Sequence, residues 1–162
     1  MKLFPTSIIL ILVACCFAAC DDGRPSPSVL RDTKQLRKYL ERGGDPNGVT
    51  KKDSYKGQQT LLHRAATDRD EEIVRMLLAA GGKPNHGDSS GWTPLMAVFT
   101  TRDEDPSRLG VIKCLLEVSD LTVKDKSGKT AYDHAKEYGS ADEIELVRKA
   151  MESRSRDEKK EP

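Results

Sequence analysis

The residue groups in this 162-residue chain whose types suit metal binding or nucleophilic chemistry are three histidines, four cysteines and one acidic triplet. No two of His63, His86 and His134 stand at a metal-ligand spacing such as i, i+4, so no metal site is expected. Cys114 lies in the apolar run 111–116 and reads as a small core residue rather than a nucleophile. Asp103-Glu104-Asp105 lacks the ligand spacing of a calcium loop and reads as a solvated loop. No glycine-rich phosphate loop, Gly-x-Ser-x-Gly elbow or Walker pattern occurs. The chain is therefore expected to have no catalytic residues, no metal and no cofactor, and recognition is the activity left to it.

The other three cysteines suit a different reaction, acylation. Lys2 forms a short positive region, a nearly unbroken apolar run covers 8–20, and the chain then turns polar at Asp21-Asp22-Gly23-Arg24. The apolar run is short for a bilayer-spanning helix of ~20 residues and fits a secretory signal. Leu12-Val13-Ala14-Cys15 and Phe17-Ala18-Ala19-Cys20 each resemble a bacterial lipobox, with small residues ahead of a cysteine. Lipidation is placed at Cys20 (or Cys15), because cleavage before Cys20 sets the lipid directly on a polar tether. The alternatives are ordinary signal cleavage and an uncleaved anchor. Several acyl chains on one cysteine hold a protein at a membrane without a spanning helix. With Cys20 lipidated, Cys114 has no disulfide partner, which an oxidising compartment tolerates. The expected organisation is a signal peptide of lipoprotein type over 1–19, a tether over 20–28, a folded domain over 29–152 and a disordered charged tail over 153–162.

Charge narrows the partner. There are 27 Lys+Arg and 26 Asp+Glu. One of the 27, Lys2, lies in 1–19, so the processed chain carries 26 charges of each sign. Neutrality argues against a nucleic-acid binder or a polybasic membrane-surface protein.

The elements that must position any recognition surface follow from a repeat. Thr60-Leu61-Leu62-His63, Thr93-Pro94-Leu95-Met96 and Thr130-Ala131-Tyr132-Asp133 align on their threonines. Each threonine is set to cap a short helix, with Pro94 fitted to the first turn. A second helix follows; in the first unit Ile73, Val74, Met76, Leu77 and Leu78 give it a broad apolar stripe. The endings Gly43-Gly44-Asp45-Pro46-Asn47 and Gly81-Gly82-Lys83-Pro84-Asn85 supply left-handed stops, and 118–122 is a weaker third ending. Helices are expected over about 29–42, with Leu36, Tyr39 and Leu40 inward, and over the last unit, with Ile144, Leu146, Val147 and Met151 inward and Glu143, Glu145, Arg148, Lys149 and Glu152 on a polar outer face.

These motifs resemble the ankyrin repeat over about residues 29–150. The resemblance implies an all-α solenoid of about three and a half helix-turn-helix repeats with finger loops, atypical at both ends. It also implies that His63 bonds backbone between repeats, that His86 opens a finger loop exposed to solvent, and that finger tips and short helices form a concave protein-binding surface. The chain departs from the pattern in places. The first finger loop, 48–59, is about five residues longer than its neighbour, and repeat three gains about five residues around 100–110. Val98-Phe99 replaces the usual pair of alanines, Leu61 replaces proline and Met96 replaces histidine.

By the same alignment the partner-binding residues are expected to be Tyr55, Lys56, Arg64, Asp68, Ser89, Ser90, Trp92, Thr100, Thr101, Arg102, Lys129 and Tyr138. Trp92 is the anchor, since an exposed indole buries much area with few rotors; the other reading packs it on the neighbouring finger. The expected protein is a monomeric, lipid-anchored, non-enzymatic binder on the periplasmic face of a bacterial envelope, with inner or outer membrane open. It binds and inhibits a protein, such as a periplasm-targeted toxin in an immunity-type pairing or another hydrolase. The alternative is a periplasmic scaffold or stress-protection factor supporting an envelope enzyme.

Overall fold

The computed structural model describes Pro25 and residues 27–50, 59–100 and 105–157. The signal and lipidation sites (Cys15, Cys20) and four expected binding residues (Tyr55, Lys56, Thr101, Arg102) lie outside the described residues. A 3-10 turn, Pro27–Leu30, precedes seven helices: α1 Thr33–Glu41, α2 Leu61–Asp68, α3 Glu71–Ala79, α4 Pro94–Val98, α5 Ser107–Val118, α6 Ala131–Tyr138 and α7 Ala141–Asp157.

Each repeat begins where its threonine predicts. The hydroxyls of Thr60, Thr93 and Thr130 accept from the backbone N–H of His63, Met96 and Asp133, closing the first turns of α2, α4 and α6. Asp133 returns a bond to the Thr130 N–H, completing a capping box. Asp70 caps α3 by accepting from Ile73 N–H. The second helices stop at left-handed glycines, Gly43 at φ 81° and Gly81 at φ 91°.

The short helices α2, α4 and α6 pack side by side in one row, and α1, α3, α5 and α7 form a second row behind them. The core lies between the rows: Leu61, Leu62, Ala65 and Ala66 from α2, Ile73, Val74 and Leu77 from α3, Val111, Ile112 and Leu115 from α5, and Val147 from α7. Cys114 is buried among them, as a small core residue should be. No unit buries its apolar faces without a neighbour, so stability is a property of the stack. Two asparagines sew the repeats together along the loop edge. Asn47 Nδ2 donates to Gly81 O at 3.2 Å, and its Oδ1 accepts from Lys83 N–H at 2.7 Å. Asn85 Oδ1 accepts from Asp120 N–H at 2.8 Å.

Four expectations need correction. The first helix starts at Thr33, not near 29, because Asp32 caps it and the preceding prolines hold a 3-10 turn. The insertion in repeat three ends before Ser107: the Asp105 carboxylate accepts from the Ser107 N–H and hydroxyl and starts α5 there. Residues 153–157, expected in the charged tail, continue α7 to Asp157, and the Arg154 guanidinium reaches back to Leu116 O and Ser119 O. Glu143, expected on the polar outer face, is 3% exposed. It forms a two-pronged ion pair with the fully buried Arg108, with both N···O distances 3.1 Å. Arg108 also lies 5.6 Å from the Phe99 ring centroid. The bulky Val98-Phe99 pair is thus accommodated by an arginine brought in from α5, which docks the last repeat through Glu143.

Candidate partner-binding face

Two finger loops are described in full, and both are built by one device. In finger 2, Asp88 Oδ1 accepts from the N–H of Ser90 (2.7 Å) and Trp92 (3.0 Å), while Asp88 N–H donates to Trp92 O. In finger 3, Asp125 Oδ1 accepts from the N–H of Ser127 (2.8 Å) and Lys129 (2.9 Å), and Asp125 N–H donates to Lys129 O. Gly91 and Gly128 carry the positive φ that lets each loop reverse, at 79° and 80°. A Cβ on Gly91 would also lie 3.1 Å from Lys126 N, so finger 3 needs this glycine in order to approach. The approach is made by Lys126, whose N–H donates to Ser90 O at 3.1 Å and whose ammonium donates to Ser89 O at 2.7 Å. The two tips form one ridge. Of finger 1 only the base is described: a bridge joins Val49 and Thr60, and Thr50 donates to Gln59 O from its N–H at 2.9 Å.

Histidines brace the ridge from below. His63 Nε2–H donates to Trp92 O at 2.7 Å, so its Nδ1 is the acceptor for the Thr60 hydroxyl at 2.8 Å. This is the inter-repeat backbone bond expected of His63. Burial pushes the His63 ring below the ordinary histidine pKa, against the pull of Trp92 O and Asp88, so it is neutral at neutral pH. His134 Nε2–H donates to Asp125 Oδ2 at 2.9 Å, and its ring lies 4.5 Å from the Trp92 ring at 57°. Burial pushes the Asp125 carboxyl up, but the Lys129 and Ser127 N–H groups and the His134 ring outweigh it and hold it below the usual carboxylate range. Trp92 is therefore half-buried, with its carbonyl fixed by α2 and its indole packed on α6. The indole packs on the short helix of the following repeat rather than on the neighbouring finger, and it stays partly open to solvent.

Of the expected binding residues, Ser89, Ser90, Trp92 and Lys129 come together on the ridge. Arg64 and Asp68 form an i, i+4 ion pair at 2.8 Å on the solvent side of the largely buried α2. Lys129 is tied to Glu137 of α6. Thr100 and Tyr138 lie at the C-terminal ends of α4 and α6, across the short helices from the fingers, and both are half-buried. His86 is exposed at the opening of finger 2, as expected. Lys126, Asp88, Asp125 and His134 were not anticipated as parts of the site. A signal for two of the structural ones was present: Asp88 and Asp125 stand three residues before Gly91 and Gly128 and five before Thr93 and Thr130. Among the described residues no three of His, Cys, Asp and Glu converge as metal ligands, and no helix is long and apolar enough to cross a membrane. The face offers hydrogen-bonding tips, lysines and one indole edge, which is the chemistry of protein recognition.

The family model for ankyrin repeats matches residues 62–157 in three copies. Protein phosphatase 1 regulatory subunit 12A of Rattus norvegicus is 33% identical over 102 residues, which is 62% of this chain and 10% of that protein. Cyclin-dependent kinase 4 inhibitor B of Homo sapiens is 28% identical over 134 residues, 80% of this chain and 88% of that protein. Among solved structures, an ankyrin repeat domain from Acinetobacter baumannii superposes with a TM-score of 0.62 at 30% identity, covering 73% of this chain and 58% of that one. The match to the phosphatase subunit spans about a tenth of that protein's length.

Proposed function

Because the chain belongs to the ankyrin-repeat family, whose repeats mediate protein–protein binding, we propose that it is a non-enzymatic binder held at a bacterial envelope by a lipid on Cys20 (or Cys15). It faces the periplasm and inhibits a protein partner there, such as a toxin or hydrolase delivered to that compartment. One observation carries the binding role: fingers 2 and 3 are cross-linked through Lys126 and braced by His63 and His134. A surface built in advance loses little freedom on binding, so more of the contact energy appears as affinity. Inhibition needs no group beyond such a surface; occluding a cleft is enough. The short positive region, the apolar run and the cysteine ahead of a polar tether support the anchored location.

The test is affinity capture of the tagged full-length protein from the membrane fraction of its own cell type. Trp92→Ala and Trp92→Phe are run alongside. A hydrolase or toxin is expected with the parent, weakened by about 2 kcal/mol for Trp92→Ala and less for Trp92→Phe, which keeps a ring on His134. The stack on His134 means that Trp92→Ala also lowers stability by about 1 kcal/mol, so thermal melting is followed in parallel. Cys20→Ser is expected in the soluble fraction. Equal capture by all three versions would remove Trp92 from the binding face, and a membrane-bound Cys20→Ser would move the anchor to Cys15.

A further inference from the structure

The tip of finger 3 carries three lysines within six residues, Lys124, Lys126 and Lys129, around one carboxylate, Asp125. That carboxylate does not face solvent. It is 7% exposed, with Oδ1 on two backbone N–H groups and Oδ2 on His134. Lys124 and Lys126 are exposed, and Lys126 lies across the join between the two fingers. The neighbouring loops follow the same plan. Asp88 Oδ1 is taken by the N–H of Ser90 and Trp92, and Asp120 Oδ1 by the N–H and hydroxyl of Thr122. All three carboxylates fold their loops, but only at finger 3 does the carboxylate turn inward while Lys124 and Lys126 face outward; Asp120 is exposed, Asp88 is half-buried and Lys129 is tied to Glu137. The opposite edge is richer in acid: Asp70 caps α3, Glu71 and Glu72 lie in its first turn, Asp142 lies in the first turn of α7 and Asp105 precedes α5, where helix dipoles favour anions, with Arg69 paired to Asp105 and Arg75 to Glu71. A formal net charge of +1 conceals this separation.

We infer that the ridge of fingers 2 and 3 docks on an acidic protein surface, with Lys124 and Lys126 meeting its carboxylates beside Trp92. The inference rests on the binding role proposed above and names the chemistry of the partner. The charge separation also orients the encounter: an acidic partner is drawn to the finger edge and repelled from the helix-turn edge, which raises the association rate and makes it sensitive to salt.

The experiment uses the purified chain and a fluorescein-labelled glutamate-rich peptide as the acidic probe, followed by anisotropy at about 50 and 200 mM salt. Saturable binding that weakens with salt is expected. Lys124→Glu with Lys126→Glu is expected to weaken it by about tenfold or more, whereas Lys34→Glu with Lys113→Glu, an equal charge change on exposed positions of α1 and α5, shifts it less than about twofold. Lys124→Glu alone, away from the finger junction, guards against a folding defect in the pair. Absence of binding, equal losses for the two pairs, or tighter binding to phosphatidylglycerol vesicles or to duplex DNA would overturn the inference. A partner captured in a Trp92-dependent way but unaffected by Lys124→Glu with Lys126→Glu would sink the acidic-surface assignment and leave the binding role standing. Loss of the Trp92 dependence as well would sink both.

Discussion

Glu143→Ala is expected to destabilise the protein by about 3–5 kcal/mol, because it leaves Arg108 charged in a dry interior. The arginine side chain has no exposed area, and the carboxylate holds it at both prongs. The Tyr138 carbonyl at 3.5 Å cannot replace an anion. The same carboxylate accepts from Ser140 N–H at 2.8 Å at the start of α7, so the helix loses a cap as well. The pair is not the source of net stability, since burying two charges consumes most of what their attraction returns. Removing both partners together, as Arg108→Met with Glu143→Leu, is therefore expected to cost less than Glu143→Ala alone. Urea unfolding followed by the fluorescence of Trp92, the single tryptophan, measures all three proteins. A Glu143→Ala midpoint close to the parent would show that the ion pair is not formed.

Phe99→Ala is expected to cost about 3–5 kcal/mol by opening a cavity between the rows of helices. Phe99 has no exposed area and lies where the alignment with the first repeat places small residues. Its ring presents its face to the Arg108 guanidinium. Phe99→Leu retains most of the volume and loses the cation–ring contact, so it is expected to fall between alanine and the parent. Calorimetry of the three proteins ranks them. A Phe99→Ala protein as stable as Phe99→Leu would mean that the neighbouring side chains collapse into the space.

Much of this architecture is legible in the sequence because it is local and periodic. A threonine that caps, a glycine pair that stops and an apolar stripe between them are decided within one repeat, and they recur. The corrections arise where a residue's partner lies in another repeat. Glu143 in the first turn of α7 looks like a solvated, dipole-favoured acid, and only Arg108, 35 residues earlier, makes it an interior group. Arg154 looks like part of a charged tail until α7 brings it back to the carbonyls near the end of α5. Trp92 was readable as an anchor or as packing, and the choice depends on His134, a residue of the following repeat. The finger carboxylates were within reach of sequence reasoning, since Asp-x-x-Gly-x-Thr occurs twice. Their consequence at finger 3, with Lys124 and Lys126 outward and the Asp125 carboxylate inward, requires the hydrogen bonds.

The most direct measurement for the account as a whole is amide hydrogen exchange of the chain alone and in complex with the partner obtained by capture. Added protection is expected at Ser89, Ser90 and Trp92 of finger 2, across 124–129 of finger 3, and along the exposed side of α2. Protection confined to α3, α5 and α7, with the fingers exchanging as in the free chain, would contradict the claim that the finger ridge is the surface through which this protein acts.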